Sequence, residues 1–183
     1  MPHRYPLILV CGATGHGKTE VVNAAVKRLA GRLQIIPTCT SRSPRPGEER
    51  TPWYRFASRQ AVQEMIDRGQ AVNWAEFGGE LYVSLRREVD TILTLTCGVQ
   101  IVVEPSVTIF REARYPVIAV NLIGVNVPSN DRAKSRLAED AARQGSIKYD
   151  EVIYNHFDPN GEPGELFEEA VNELCFIVED ALN

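Results

Sequence analysis

The strongest constraint on this chain is a glycine-rich loop, GATGHGKT at residues 12–19, which matches the pattern GxxxxGK[ST]. It follows the apolar run Leu7–Val10 and precedes residues 18–30, where apolar residues recur along one helical stripe. A buried strand entering such a loop and a helix leaving it arrange successive backbone N–H groups around a phosphate, at the positive end of the helix dipole. Glycine permits this curl because it tolerates backbone torsions that side chains forbid. The pattern predicts a nucleoside triphosphate site.

Two residues of this loop have separate predicted tasks. Lys18 is expected to reach the β- and γ-phosphates, and the Thr19 hydroxyl is expected to bind Mg²⁺. All eight loop residues are predicted to contact the triphosphate: Gly12, Ala13, Thr14, Gly15, His16, Gly17, Lys18 and Thr19.

Composition narrows the class of protein. A length of 183 residues with 44% hydrophobic content allows one domain with a sizeable core. The net charge of −4 argues against a protein that coats nucleic acid, so no nucleic-acid partner is expected. The four cysteines are widely spaced without a CxxC pair, and no apolar stretch reaches membrane-spanning length. We expect a cytoplasmic protein without a membrane partner.

Apolar runs and helical patterns alternate along much of the chain. Runs typical of buried parallel strands occur at 7–10, 101–103, 117–122 and 152–154, and helical patterns at 18–30, 86–95, 106–114, 130–143 and 163–182. This alternation predicts an α/β core with helices on both faces of a parallel sheet.

A polar excursion interrupts the alternation. Residues 37–57 are rich in Pro, Arg, Thr and Ser, and residues 71–84 contain short alternating pieces with aromatics. Between them lies a helical pattern at 58–68, with Ser58 as its N-cap and Gly69 at its end. An excursion of this length predicts a small subdomain within the single domain.

The first polar segment carries an anion-binding pattern. Arg42 and Arg45 flank Pro44, which stiffens the backbone, so two guanidinium groups can converge on one anion. Tyr54 follows at the start of an extended piece and can add its hydroxyl group. Two arginines by themselves would also suit a solvated basic loop.

Together with the glycine loop, five segments make the chain similar to guanylate kinases. Residues 38–56, TCTSRSPRPGEERTPWYRF, resemble the acceptor-site motif of that family, and residues 58–69 resemble the helix that follows it. The remaining segments resemble three further family motifs in the same order: NWAEF at 73–77, YVS at 82–84 and YDEVIYN at 149–155. The chain is identified as a member of the guanylate-kinase-like group of P-loop nucleoside monophosphate kinases.

The resemblance implies a P-loop NTPase core with a parallel sheet flanked by helices, a small mixed α/β subdomain that binds the nucleoside monophosphate, and a short lid. The core would comprise residues 1–36, 88–127 and 137–183, the subdomain 37–87 and the lid 128–136. The implied reaction transfers the γ-phosphoryl group of ATP to a nucleoside or deoxynucleoside monophosphate, with Mg²⁺ as cofactor. The partners would be small-molecule nucleotides, and the protein would be a monomer or a homodimer.

The family motifs imply roles for residues at matching positions. The acceptor phosphate would be held by Arg42, Arg45, Tyr54 and Tyr82, with Glu48 near the phosphates. The base would be faced by Thr38, Asn73 and Ser84, and ATP would also be contacted by Asn155. The implied catalytic residues are Lys18, Arg42, Arg132 and Arg136.

One departure from the family motif concerns the base. Asn73 stands where the family has a glutamate, which accepts from two adjacent donors of guanine. An amide accepts from one donor and presents its own N–H group to the other, and an unpaired buried donor costs about 1–3 kcal/mol. Glu76 lies three residues along the strand and faces the other side. We therefore expect a base preference shifted away from guanine, toward an edge with one donor and one acceptor, such as adenine, thymine or a modified pyrimidine.

A second departure follows the predicted strand at 101–103, where Glu104-Pro105-Ser106 replaces a DxD pair and a glycine. Glu104 is expected at the strand end near the acceptor nucleotide, or near Mg²⁺ through a water molecule. An ordinary solvated carboxylate at a strand end is the alternative.

The lid is a third departure because it is short. Helical spacing places Arg132 and Arg136 near one face, where they could present guanidinium groups to the transferring phosphoryl group.

Two alternatives to this kinase remain open at the level of sequence. One is a catalytically retired guanylate-kinase-like module that binds a protein or a nucleotide, although such a module has no need of Lys18 and Thr19. The other is a kinase of a phosphorylated ribose, although Arg42, Arg45 and Tyr54 favour a nucleotide acceptor.

Overall fold

The structure is a computed structural model that describes residues 4–127, 147–157 and 166–183. Its larger sheet is formed by Leu7–Cys11 (β1), Leu33–Ile35 (β2), Cys97–Ile101 (β7), Val117–Val125 (β8) and Glu151–His156 (β9). These strands are parallel and lie in the order β2-β7-β1-β8-β9. The helices associated with this sheet are Lys18–Arg28 (α1), Arg86–Leu95 (α3), Glu104–Glu112 (α4) and Phe167–Asp180 (α5). The predicted α/β core with a parallel sheet is confirmed.

Strand β1 is central because both of its faces are covered. All five of its residues are buried, and side chains alternate between two hydrophobic clusters. Ile8 and Val10 pack in the cluster that includes residues of α1 and α5, whereas Leu7 and Leu9 pack in the cluster that includes residues of α3 and α4. A continuous apolar run at 7–10 is therefore the sequence of a strand covered on both sides.

A second, smaller sheet contains four strands. These are Thr38–Thr40 (β3), Tyr54–Phe56 (β4), Ala71–Phe77 (β5) and Glu80–Leu85 (β6), in the order β4-β3-β6-β5. Strands β3 and β4 are parallel, and the other two pairings are antiparallel.

Helix α2, Arg59–Asp67, packs against the smaller sheet. It buries Val62 in a cluster with Cys39, Leu81 and Val83. The Ser58 side chain accepts a hydrogen bond from the Ala61 backbone N–H at 3.2 Å, which confirms the predicted N-cap.

The structure corrects the prediction for the chain around β7. The strand predicted at 101–103 runs from Cys97 to Ile101, and Glu104, predicted at a strand end, is the first residue of α4. Gly98 and Gln100 interrupt the apolar pattern, but both are buried in the strand. Strand β2 was not predicted because it is three residues long and its middle residue, Gln34, is exposed.

The predicted helix at 130–143 lies outside the described residues. In the part of the chain that the structure describes, no helix is long and apolar enough to cross a membrane.

Candidate nucleotide site

The glycine loop joins β1 to α1 in the predicted manner. Gly12, Gly15 and Gly17 all have positive φ angles, of 139°, 90° and 78°. A Cβ atom on Gly12 would collide with the carbonyl oxygen of Leu122 on the neighbouring strand β8. The loop therefore requires glycine for close packing as well as for backbone torsion.

Lys18 is held close to the backbone of this loop. Its Nζ donates to the carbonyl oxygens of Gly12 at 2.9 Å and Ala13 at 2.7 Å. Lys18 is also the first residue of α1, so its ammonium group lies beside a helix amino terminus. The cation and the helix dipole add to make the loop attractive to phosphate.

Asn155 on β9 supports the far side of the loop. Its Nδ2 donates to the carbonyl oxygen of His16 at 3.0 Å, and a Cβ atom on Gly17 would collide with this amide. Among the residues that the structure describes, the buried Oδ1 atom of Asn155 has no hydrogen-bond partner. His16 in turn lies with its Nδ1 atom 3.3 Å from the carbonyl oxygen of Leu122.

Arg42, predicted to hold the acceptor phosphate, is anchored by an acid and two rings. The guanidinium group of Arg42 donates to both oxygens of Glu48, at 2.6 and 3.0 Å. Its Cζ lies 4.4 Å from the ring centre of Tyr54 and 5.2 Å from that of Phe56. Such contacts fix the plane of a guanidinium group that is only 9% exposed.

Glu48 links the two arginines. Besides its bidentate contact with Arg42, its Oε2 accepts from the Arg45 backbone N–H at 2.9 Å. The Arg42 guanidinium group holds the pKa of Glu48 below its usual range. Glu48 therefore shapes the loop that carries both arginines.

The predicted base-facing residues take part in two hydrogen-bonded bridges from the smaller sheet, one to helix α4 and one to the larger sheet. Asn73 of β5 donates through Nδ2 to the Ser106 hydroxyl of α4 at 2.9 Å. The second bridge passes through Gln100 of β7, which accepts from the Ser84 hydroxyl at 2.9 Å and donates to Thr38 Oγ1 at 3.2 Å. This part of the site is built from neutral amides and hydroxyls.

A single cavity of about 610 Å³ joins these three regions. Its walls include the following predicted site residues: Gly12, Thr14, Gly15, Gly17, Lys18, Thr19, Thr38, Arg42, Arg45, Tyr54, Asn73, Tyr82, Ser84 and Asn155. The glycine loop, the two arginines and the residues predicted to face the base thus open onto one space, of a size that suits nucleotides.

Unlike most of the predicted site residues, Glu104 does not line the cavity. Its Oε1 accepts from the Tyr149 hydroxyl at 2.5 Å, and only 7% of the residue is exposed. Burial, together with this carboxylate, raises the pKa of Tyr149 above its usual range. The neighbouring Cys11 thiol has its pKa raised to about 12, mainly by burial. The carboxylate is thus directed toward a buried cluster at the end of β1, while Val103 and Ser106 reach the cavity wall.

The part of the cavity beside the glycine loop has the features of a Mg²⁺ site. Thr19 lies on the wall next to Lys18, and the described residues hold no group of three or more His, Cys, Asp or Glu side chains arranged for a metal. Mg²⁺ usually binds through one or two protein ligands, substrate phosphates and waters. A single hydroxyl beside a phosphate loop fits that kind of site. Arg132 and Arg136 lie outside the described residues.

Three further residues of the site were not identified from sequence. Gln100 and Ser106 hold the residues predicted to face the base, and Trp53 lies on the cavity wall. The signal that could have identified Gln100 is a polar residue inside an otherwise apolar strand, because such a side chain needs buried hydrogen-bond partners.

Comparisons with known proteins agree with this geometry. The family model described as guanylate kinase matches residues 3–158. A guanylate kinase of Rubrobacter xylanophilus is 31% identical over 144 residues, which cover 75% of this chain and 74% of that protein. One from Xanthomonas campestris pv. campestris is 28% identical and covers 95% of this chain and 88% of its own length.

A solved structure supports the same fold. The crystal structure of guanylate kinase from Anaplasma phagocytophilum has a TM-score of 0.70 at 20% identity, covering 98% of this chain and 88% of that one. The family match spans most of the chain and includes both the glycine loop and the two arginines Arg42 and Arg45. The chain belongs to the guanylate kinase family of P-loop nucleoside monophosphate kinases.

Proposed function

We propose that this protein transfers the γ-phosphoryl group of ATP to a nucleoside or deoxynucleoside monophosphate, with a base preference shifted away from guanine. The observation that carries the proposal is that Lys18 and the pair Arg42 and Arg45 line the same cavity. A phosphate-binding loop and a second cationic site facing one space suit a reaction between two phosphorylated substrates.

The donor would bind at the glycine loop. The loop N–H groups and Lys18 would hold the β- and γ-phosphates of ATP, and Thr19 would hold Mg²⁺, which supplies charge neutralisation on the phosphates when bound. Asn155, whose buried Oδ1 has no hydrogen-bond partner within residues 4–127, 147–157 and 166–183, is the proposed further contact to ATP.

The acceptor would bind in the subdomain proposed for residues 37–87. Arg42, Arg45, Tyr54 and Tyr82 would hold its phosphate in line with the γ-phosphoryl group. The chemistry asked of the protein is then positioning and neutralisation of charge, because the acceptor phosphate is already an anion and needs no general base.

Arg132 and Arg136, in the lid proposed for residues 128–136, would neutralise charge on the transferring group. Glu104 stays a weaker candidate for a water-mediated metal contact because its Oε1 accepts from Tyr149.

The base preference rests on Asn73. Its amide already donates one N–H to Ser106, which leaves Oδ1 and one remaining N–H for a ligand. Glu76, the nearest acid along the strand, also lies on the cavity wall, but it is half exposed and accepts from Arg59 Nη2 at 2.9 Å. An amide with one acceptor and one donor suits a base edge of the same mixed kind better than the two adjacent donors of guanine.

An acceptor screen tests this proposal. ADP formation from Mg·ATP would be measured with each common ribo- and deoxyribonucleoside monophosphate, and with ribose bisphosphate or ribose phosphate as further acceptors. We expect turnover with a monophosphate other than GMP as the best acceptor. Preference for GMP over every other acceptor would contradict the shifted specificity, turnover with phosphorylated ribose alone would contradict the nucleotide acceptor, and no turnover with any compound would contradict the enzyme.

A further inference from the structure

Gln100 occupies an unusual place for a glutamine. It lies within β7, next to the central strand of the larger sheet, and is 1% exposed. Its amide oxygen and nitrogen are both used, and both partners belong to the smaller sheet: Ser84 on β6 and Thr38 on β3. A buried amide in an apolar strand is unfavourable unless its groups are paired, so this side chain requires those two hydroxyls.

The bridge controls what the two hydroxyls can offer a ligand. A hydroxyl group has one proton, and the proton of Ser84 is donated to Gln100 Oε1. Ser84 can then only accept from a ligand. Thr38 accepts from Gln100 Nε2, so its own proton remains available for donation.

Ser84 and Thr38 both reach the cavity wall, whereas Gln100 lies behind them. The side chain thus acts on the cavity through its neighbours. Asn73 adds a further acceptor, Oδ1, to the same region because its amide nitrogen donates to Ser106.

We propose that Gln100 is a positioning residue for acceptor choice, which holds Ser84 as a hydrogen-bond acceptor and Thr38 as a donor toward the base. This inference rests on the proposed function and extends it. The arrangement selects monophosphates whose base presents a donor and an acceptor together on the edge that is read. Adenine, cytosine and the imide edge of uracil or thymine meet this description without the second adjacent donor that guanine carries at N2, and the experiment separates them.

The test replaces Gln100 with a residue of similar length that lacks the amide, Gln100→Met. Affinities for AMP, UMP, dTMP, CMP and GMP would be measured by calorimetry with Mg²⁺ and a non-hydrolysable ATP analogue, beside kcat and KM for each acceptor. We expect the ratio of the affinities for the best and the worst acceptor to fall by about tenfold or more, because both hydroxyls become free to rotate. The effect should appear in KM for the acceptor, while KM for ATP stays within about twofold.

Two controls separate positioning from general damage. Gln34→Met alters an exposed glutamine on the adjacent strand β2 and should leave the acceptor ratio unchanged. In a Ser84→Ala and Thr38→Val background, Gln100→Met should have no further effect on the ratio, since the groups through which it acts are gone. Ser84→Ala alone should also lower the ratio, which keeps the proposal testable where Gln100→Met does not fold.

A uniform loss of affinity for all acceptors, or an equal effect of Gln100→Met in the doubly substituted background, would overturn the proposal. Calorimetry reports acceptor binding without phosphoryl transfer. Failure of the proposed reaction and failure of the role of Gln100 are therefore separate results.

Discussion

The indole N–H of Trp53 donates to the side-chain oxygen of Asn23 at 3.0 Å. Asn23 lies in α1, one turn beyond Thr19, and Trp53 immediately precedes Tyr54 of the acceptor site. The backbone carbonyl of Trp53 also accepts from the Thr38 N–H at 2.8 Å. One residue therefore connects the helix of the phosphate loop with the strands that carry the acceptor residues.

Removing the indole N–H should loosen this connection. In Trp53→Phe the ring is kept and the hydrogen bond is lost, so we expect kcat to fall several-fold with little change in ATP affinity, in line with the sensitivity of transfer to alignment. Trp74→Phe is the matched control because Trp74 is 51% exposed. The kcat values of the two variants would be compared by steady-state kinetics. Equal kcat values would show that the Trp53 hydrogen bond does not contribute to alignment.

Substitution of Arg42 or Arg45 should impair the use of the monophosphate and leave ATP binding nearly unchanged. Arg42→Ala and Arg45→Ala should each lower kcat/KM for the monophosphate by on the order of a hundredfold, because a charge-assisted contact to phosphate is lost. Arg59→Ala is the control. Arg59 begins helix α2, which packs on the smaller sheet, and its guanidinium group pairs with Glu76, both side chains being about half exposed. Kinetics with each substrate varied in turn would measure this. Loss of ATP binding with retained acceptor affinity would reverse the assignment of the two ends of the cavity.

Glu48 should make stability depend on acid pH. Its contact with Arg42 lowers its pKa in the folded protein below the value near 4.5 of a free glutamate. The charged form is thus favoured by folding, so its contribution is complete above about pH 4.5 and is lost as the pH falls through the lowered pKa. The difference in unfolding free energy between the wild type and Glu48→Gln should shrink from pH 6 to pH 3 in urea titrations. A difference that grows in acid would have the wrong sign.

The phosphate loop and the N-cap Ser58 could be predicted because they depend on local sequence. The course of β7 could not, because Gln100 appears in sequence as a polar interruption and becomes compatible with a buried strand only through Ser84 and Thr38, which are distant in sequence. The wrong course of β7 also explains the error for Glu104. The strand predicted at 101–103 puts Glu104 at its end, whereas β7 ends at Ile101 and Glu104 begins α4. Contacts across two sheets follow from the fold and have no local signal.

Asn73 allows a direct change of base preference. In Asn73→Glu the carboxylate can accept from the Ser106 hydroxyl and from the two donors of guanine, so kcat/KM for GMP or dGMP should rise by roughly tenfold or more, given about 1–3 kcal/mol for each donor satisfied. Asn73→Gln is the matched control because it has the length of glutamate without its charge. Acceptor kinetics of both variants would decide the point, and an equal gain in Asn73→Gln would show that length rather than charge was responsible.

The central claim is that one phosphoryl group passes directly between nucleotides bound at the two ends of the cavity. Its most direct test follows the label of γ-³²P-ATP in the presence of Mg²⁺ and the best acceptor monophosphate, with the wild type and Lys18→Ala. We expect the label in the nucleoside diphosphate formed from the acceptor, and Lys18→Ala should reduce this transfer by about a hundredfold or more because a contact to the γ-phosphate is lost. Label found only in inorganic phosphate, or equal transfer by Lys18→Ala, would contradict the central claim.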